Sequence, residues 1–113
     1  MSQSLSQIYL HVVFSTKERK PFLQNPDCRE AMHRCLAKIS NDLGCPCLEA
    51  GGVEDHVHVL SRLSKTLSVS EFIKELKRAT SAWVKEVFPA MEEFYWQAGY
   101  GAFSVSPSHT GPL

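Results

Sequence analysis

Apolar residues in this chain recur at two different periods, and the order in which those periods alternate restricts the fold more than any other feature. Over residues 8–16, "IYLHVVFST", the repeat is two: Ile8, Leu10, Val12 and Phe14 fall on one face, and Tyr9, His11, Val13 and Ser15 on the other. That pattern predicts a strand with one face on a core. Over 25–44 the spacing becomes helical, with Met32, Cys35, Leu36, Ile39 and Leu43 forming a stripe. Asp27 and Glu30 suggest a capping box at its start, and Gly44 suits its end. Residues 45–63 read as two strands joined through Gly51-Gly52, with Val57 and Val59 on one side and His56, His58 and Leu60 on the other. Helical spacing returns over 68–88, where Ser68 and Glu71 form a second capping box. Val69, Phe72, Ile73, Leu76, Trp83, Val84 and Val87 make the apolar face, and Pro89 closes it. A last strand is expected over 99–106.

The order strand, helix, strand, strand, helix, strand predicts an α+β, ferredoxin-like βαββαβ sandwich. In it four antiparallel strands carry two helices on one face, and the other face stays free. At 113 residues, with neither repeat nor low-complexity linker, one domain is expected over 1–108, followed by a short tail at 109–113. Net charge is zero, so nucleic-acid binding would need a local basic patch. The start carries no basic leader, and no apolar run approaches the roughly 18 residues of a membrane span, which predicts a cytoplasmic protein. Cys28, Cys35, Cys45 and Cys47 are expected to be free thiols in such a compartment. The "CPC" gap at 45–47 is too short for a zinc knuckle, and Cys28 and Cys35 suit one buried helix face.

The chemistry-bearing feature is "EDHVHVL" at 54–60. Strand residues i and i+2 share a side, about 6.6 Å apart along the backbone. His56 and His58 can therefore offer ring nitrogens to one metal ion, or stand as two half-exposed side chains bonded to neighbours. Spacing alone leaves both readings open. Asp55 precedes the pair and suits turn or supporting duty better than ligation. His11 would lie near the pair if its strand neighbours theirs, though packing is the simpler role.

"YLHVVFSTKERKPFL", "GGVEDHVHVL", "LSVSEFIKELKRATSAW" and "YWQAGYGAFSVSPS" occur in one order over residues 9–108. Together they closely resemble the small single-tyrosine transposases of bacterial insertion sequences and their relatives associated with repetitive extragenic palindromes. These belong to the class named for a His-hydrophobic-His motif. The resemblance implies metal ligation by His56 and His58, with magnesium or manganese as the divalent ion. It also implies single-stranded DNA hairpins as partners, a homodimer, and cleavage and rejoining through a tyrosine–DNA intermediate during transposition.

In that family the nucleophile sits on a helix after the "FSVS" strand, with a glutamine ligand one turn later. Here no tyrosine follows Tyr100 and no glutamine follows Gln97, so no catalytic residue is matched, and truncation with impaired activity is the expectation. Tyr100 belongs to the preceding strand motif and is not promoted to nucleophile, nor is Tyr95. His109 is a weak candidate for a third ligand. Lys17, Arg19, Lys20, Lys77 and Arg78 are candidate DNA contacts, although Glu75 with Arg78 is also an ordinary helix pair. Trp83 and Phe72 are expected in the core, and Trp96 and Phe103 could face bases or a second subunit. The alternatives are a non-catalytic hairpin-binding remnant and a plain interaction domain.

Overall fold

The computed structural model describes residues 7–105; the proposed tail at 109–113, His109 and the expected domain limit at 108 lie outside the described residues. The elements run β1 (Tyr9–Ser15), α1 (Pro26–Asp42), β2 (Cys47–Gly52), β3 (His56–Arg62), α2 (Val69–Val87) and β4 (Gly101–Val105). They form one four-stranded sheet in the order β2-β3-β1-β4, antiparallel throughout. This is the ferredoxin-like arrangement the period switching predicts. No helix among the described residues is long and apolar enough to cross a membrane.

Alternation along the central strands decides what is buried. Leu10, Val12 and Phe14 of β1 and Val57 and Val59 of β3 point to the helices and join Met32, Leu36, Phe72, Ile73, Leu76 and Val84 in the core. Each such side chain contributes about 1.5–3 kcal/mol by leaving water. With that face covered, Tyr9, His11, Val13 and Ser15 and the β3 histidines are left on the other. One polar pair enters the core: the Ser40 and Ser61 hydroxyls lie 2.7 Å apart, and Ser40 also donates to the Cys45 carbonyl. Cys28, Cys35 and Cys45 are buried free thiols, and burial pushes the Cys28 and Cys35 groups up, which keeps them unreactive.

Several local expectations are corrected. The cap of α1 is Asn25, whose side-chain oxygen accepts from the Asp27 and Cys28 N–H groups at 2.9 and 3.1 Å. Pro26 fits the first helical position, where its missing N–H costs nothing, and this moves the cap back two residues from Asp27. The Ser68–Glu71 capping box forms as expected. Val87 is 50% exposed, whereas Thr80, not among the expected apolar positions, is buried on that face. Thr80 donates to the Leu76 carbonyl and accepts from the Trp96 indole N–H at 3.1 Å, so its polarity is satisfied in place. Ile8 lies before β1 and is 51% exposed rather than part of the core face. Gly51 and Gly52 are not the turn: they end β2, paired with His58 and Val57, and residues 53–55 make the connection.

Candidate active site

The β3 alternation places His56 and His58 on the open face of the sheet, each half-buried, with Val57 fully buried between them on the other side. Strand register supplies their neighbours. Ser15 lies opposite His56, and His58 sits between Val13 of β1 and Gly51 of β2. Gly51 eases that packing: a Cβ there would come within 3.0 Å of His58 Nε2 and 3.3 Å of Cε1, so the ring would have to give. Gly52 adopts φ +151, and a Cβ on it would collide with the His56 carbonyl oxygen. The two glycines thus let β2 close against the backbone and ring of the histidine strand.

His56 has a defined partner. Its Nδ1 lies 3.0 Å from Asp55 Oδ1, and the other oxygen of that carboxylate accepts from Arg19 Nε at 3.1 Å. The bond to His56, then the one from Arg19, holds the Asp55 carboxyl below the usual carboxylate range. An ionised carboxylate can only accept, so in this bond Nδ1 is the donor, and a neutral imidazole bonded in this way keeps the Nε2 lone pair for a ligand. Among the described residues no carboxylate is bonded to His58 in this way. Its ring meets that of His11 edge to face, with centroids 5.5 Å apart, so His11 does lie beside the pair.

Two grooves flank the histidines. One, of about 370 Å³, is lined by Ser15, Arg19, His56, Tyr100 and Gly101 among others. The second, of about 310 Å³, is lined by His11, Glu49, His58, Leu60 and Val105. Among the described residues no group of three His, Cys, Asp or Glu side chains is placed to hold a metal ion. The donor set fits a hard divalent ion only in part. Two imidazoles leave most of the coordination sphere to water and substrate phosphate, which is how magnesium is commonly held.

The cationic candidates separate by what they touch. Lys17 and Lys20 line a third groove of about 690 Å³, together with Glu18, Phe22, Glu92, Glu93 and Tyr95. Lys20 lies 3.8 Å from Glu18, and Lys17 lies 5.7 Å from the centre of the Tyr95 ring. Arg19 reaches Asp55, an engagement that charge alone did not signal. Lys77, a candidate DNA contact, is engaged within the fold. Its ammonium donates to the Gln97 and Gly99 carbonyls at 2.8 and 2.7 Å, and burial lowers its pKa. The spacing showed a polar helix position but not the loop that folds over it. Arg78 remains exposed and is held by Glu75 through two bonds, the helix pair foreseen.

Aromatic positions sort in the same way. Phe72 is fully buried, and Trp83 stacks edge to face on Phe88. Trp96 stacks against Phe14 and Phe94 while its N–H is taken by Thr80, which removes it as a platform for bases. Phe103 is 61% exposed, on the open face opposite His11. Tyr95 and Tyr100 are both exposed, and Tyr100 borders the His56 groove.

A family profile described as "Transposase IS200 like" matches residues 4–111, nearly the whole chain. The chain belongs to the IS200-like transposase family. Curated relatives named as the transposase for insertion sequence element IS200, from Salmonella typhimurium and Salmonella typhi, are each 30% identical over 95 residues. These alignments cover 80% of this chain and 62% of the relatives, so the chain spans under two thirds of their length. A crystal structure of a provisionally assigned transposase from Deinococcus radiodurans superposes with a TM-score of 0.81 at 21% identity, covering 92% of this chain and 83% of that one. A REP-associated tyrosine transposase bound to a REP hairpin gives 0.62 at 12% identity, covering 88% of this chain and 56% of that one. At those identities the two structures speak for the shared fold.

Proposed function

We propose that this transposase-family chain acts in DNA transposition. It would bind hairpin-marked single-stranded DNA and present a phosphodiester to His56 and His58, which together hold a magnesium or manganese ion. The observation that carries the reading is the pair itself: two imidazoles on the uncovered sheet face, one of them oriented by Asp55 so that Nε2 is free. Membership of the IS200-like family and the fold shared with a hairpin-bound relative support it. A divalent ion held there would withdraw charge from a phosphate oxygen and so favour displacement at phosphorus.

The chain's own residues have definable parts in this. His56 and His58 supply nitrogen donors, and Asp55 fixes the ring of His56. Ser15 and Gly101 line the same groove, which on this reading takes the sugar–phosphate backbone. Lys17 and Lys20 are the proposed contacts for the flanking strand's phosphates, in a groove that also carries Glu18, Glu92 and Glu93. In the cleavage the reading invokes, a tyrosine oxygen bonds to phosphorus, the 5′ side stays joined to it, and the 3′ oxygen leaves as a hydroxyl. The reading gives this chain hairpin recognition and phosphate binding, in a homodimer.

Fluorescence anisotropy on a labelled single-stranded hairpin and on an unpaired strand of equal length tests this. Binding the hairpin at least tenfold tighter is expected. Equal or absent binding would refute it.

A further inference from the structure

The segment after β1 carries backbone strain with no outlet in the fold. Glu18 and Arg19, neither of them glycine, occupy successive left-handed positions at φ 56 and 57. Each costs on the order of 1–3 kcal/mol and persists only where its surroundings hold it. Those surroundings are unusually complete. Thr16 is fully buried; its N–H donates to the Asp55 carbonyl at 2.9 Å and its hydroxyl to the Lys20 carbonyl at 2.6 Å. The Glu18 N–H donates to the Gln97 side chain at 2.8 Å, and the Leu23 N–H donates to the Glu54 carbonyl at 2.9 Å. The strained turn is thereby tied at both ends to residues 54 and 55, immediately before His56.

What the strain secures is the placement of one side chain. Arg19 gives its Nε–H to Asp55 Oδ2 while Asp55 Oδ1 takes the Nδ1–H of His56. One carboxylate is divided between the two cationic-type partners. Among the described residues this is the only side-chain hydrogen bond of Arg19, so both terminal amino groups of a guanidinium that is 63% exposed remain open beside the His56 groove. A planar fork fixed at its stem and free at its prongs has the geometry for a phosphate oxygen pair.

We propose that Asp55 is a positioning residue that holds His56 in its Nδ1–H form. Arg19, braced by the same carboxylate and by the strained 16–20 turn, is proposed to bind the DNA phosphate lying in the His56 groove. The phosphate role rests on the function proposed above; the brace does not, since it exists in the free protein.

The two parts are tested separately. In ¹⁵N-histidine-labelled protein free of metal and DNA, near pH 8, the His56 ring signals should report the Nδ1–H tautomer. In an Asp55→Ala variant whose backbone amide spectrum is otherwise intact, they should move toward the Nε2–H form that free neutral imidazole prefers. An Nε2–H ring in the parent, or no change in the variant, would overturn the brace. For the phosphate role, Arg19→Gln should flatten the plot of log Kd for the single-stranded hairpin against log salt by about 0.7, the share of one phosphate contact. Arg19→Lys should keep the slope and lose about 3- to 10-fold in affinity, as a point charge cannot fork. An unchanged slope in Arg19→Gln would overturn the phosphate role. A parent that binds no hairpin would overturn it together with the proposed function, and the tautomer would still decide the brace.

Discussion

Replacing Gly51 by Ala probes the position of His58 with one carbon atom. The added Cβ would lie 3.0 Å from Nε2 and 3.3 Å from Cε1 of the His58 ring, against ordinary contacts of about 3.5–4.0 Å. The ring must retreat by about 0.5 Å, more than twice the roughly 0.2 Å that metal–ligand distances tolerate. The fold itself should scarcely notice. Gly in a strand is destabilising by about 0.5–1 kcal/mol relative to Ala, which offsets the crowding, and the displaced ring faces solvent rather than core. We therefore expect chemical denaturation to place the variant within about 1 kcal/mol of the parent. Calorimetric titration with manganese should show affinity reduced about 10- to 100-fold, the range found when a ligand's orientation is lost. If the His58 ring signals shift and manganese affinity does not, His58 is not a ligand and the reasoning is wrong.

Three further perturbations separate structural from functional roles. Gly52→Ala forces a side chain into φ +151 against the His56 carbonyl and should destabilise by more than about 2 kcal/mol in urea denaturation. Lys77→Met removes two ammonium–carbonyl bonds and should cost about 1–3 kcal/mol, while the salt dependence of DNA binding stays unchanged, since that amine serves the 97–99 loop. His33, whose Nε2 is buried without a partner, has its pKa lowered by burial and then by Arg29 and His58. The unfolded chain therefore takes up the proton first: stability is full above the ordinary value of about 6.5 and is lost as pH falls through the lowered folded value. His33→Leu should flatten thermal midpoints measured between pH 8 and 5.

The sheet and its two faces were legible because alternation at period two is a direct consequence of strand geometry. Leu10, Val12, Phe14, Val57 and Val59 could only share a side, and that left His56 and His58 together on the other. What sequence pattern missed was set by contacts between distant segments. Thr80 is buried because the Trp96 indole, sixteen residues on, meets its hydroxyl. Lys77 turned inward because a loop twenty residues later brought two carbonyls to it. Arg19 counted only as a positive charge until the fold placed Asp55 against it. Gly51-Gly52 looked like a turn because glycine pairs usually are; the need they meet is the close approach of His58 and of the His56 backbone from the next strand. None of these could be read from spacing, since each depends on how helix, loop and strand come together.

The central claim is that His56 and His58 grip one divalent ion on the open face of the sheet. Titrating manganese into ¹⁵N-histidine-labelled protein tests it most directly, because the paramagnetic ion broadens ring signals steeply with proximity. The account predicts that the His56 and His58 signals vanish together at substoichiometric manganese, ahead of those of His33, which is near enough to His58 to feel its charge. Loss of only one of the pair, or broadening no greater than at His33, would contradict it.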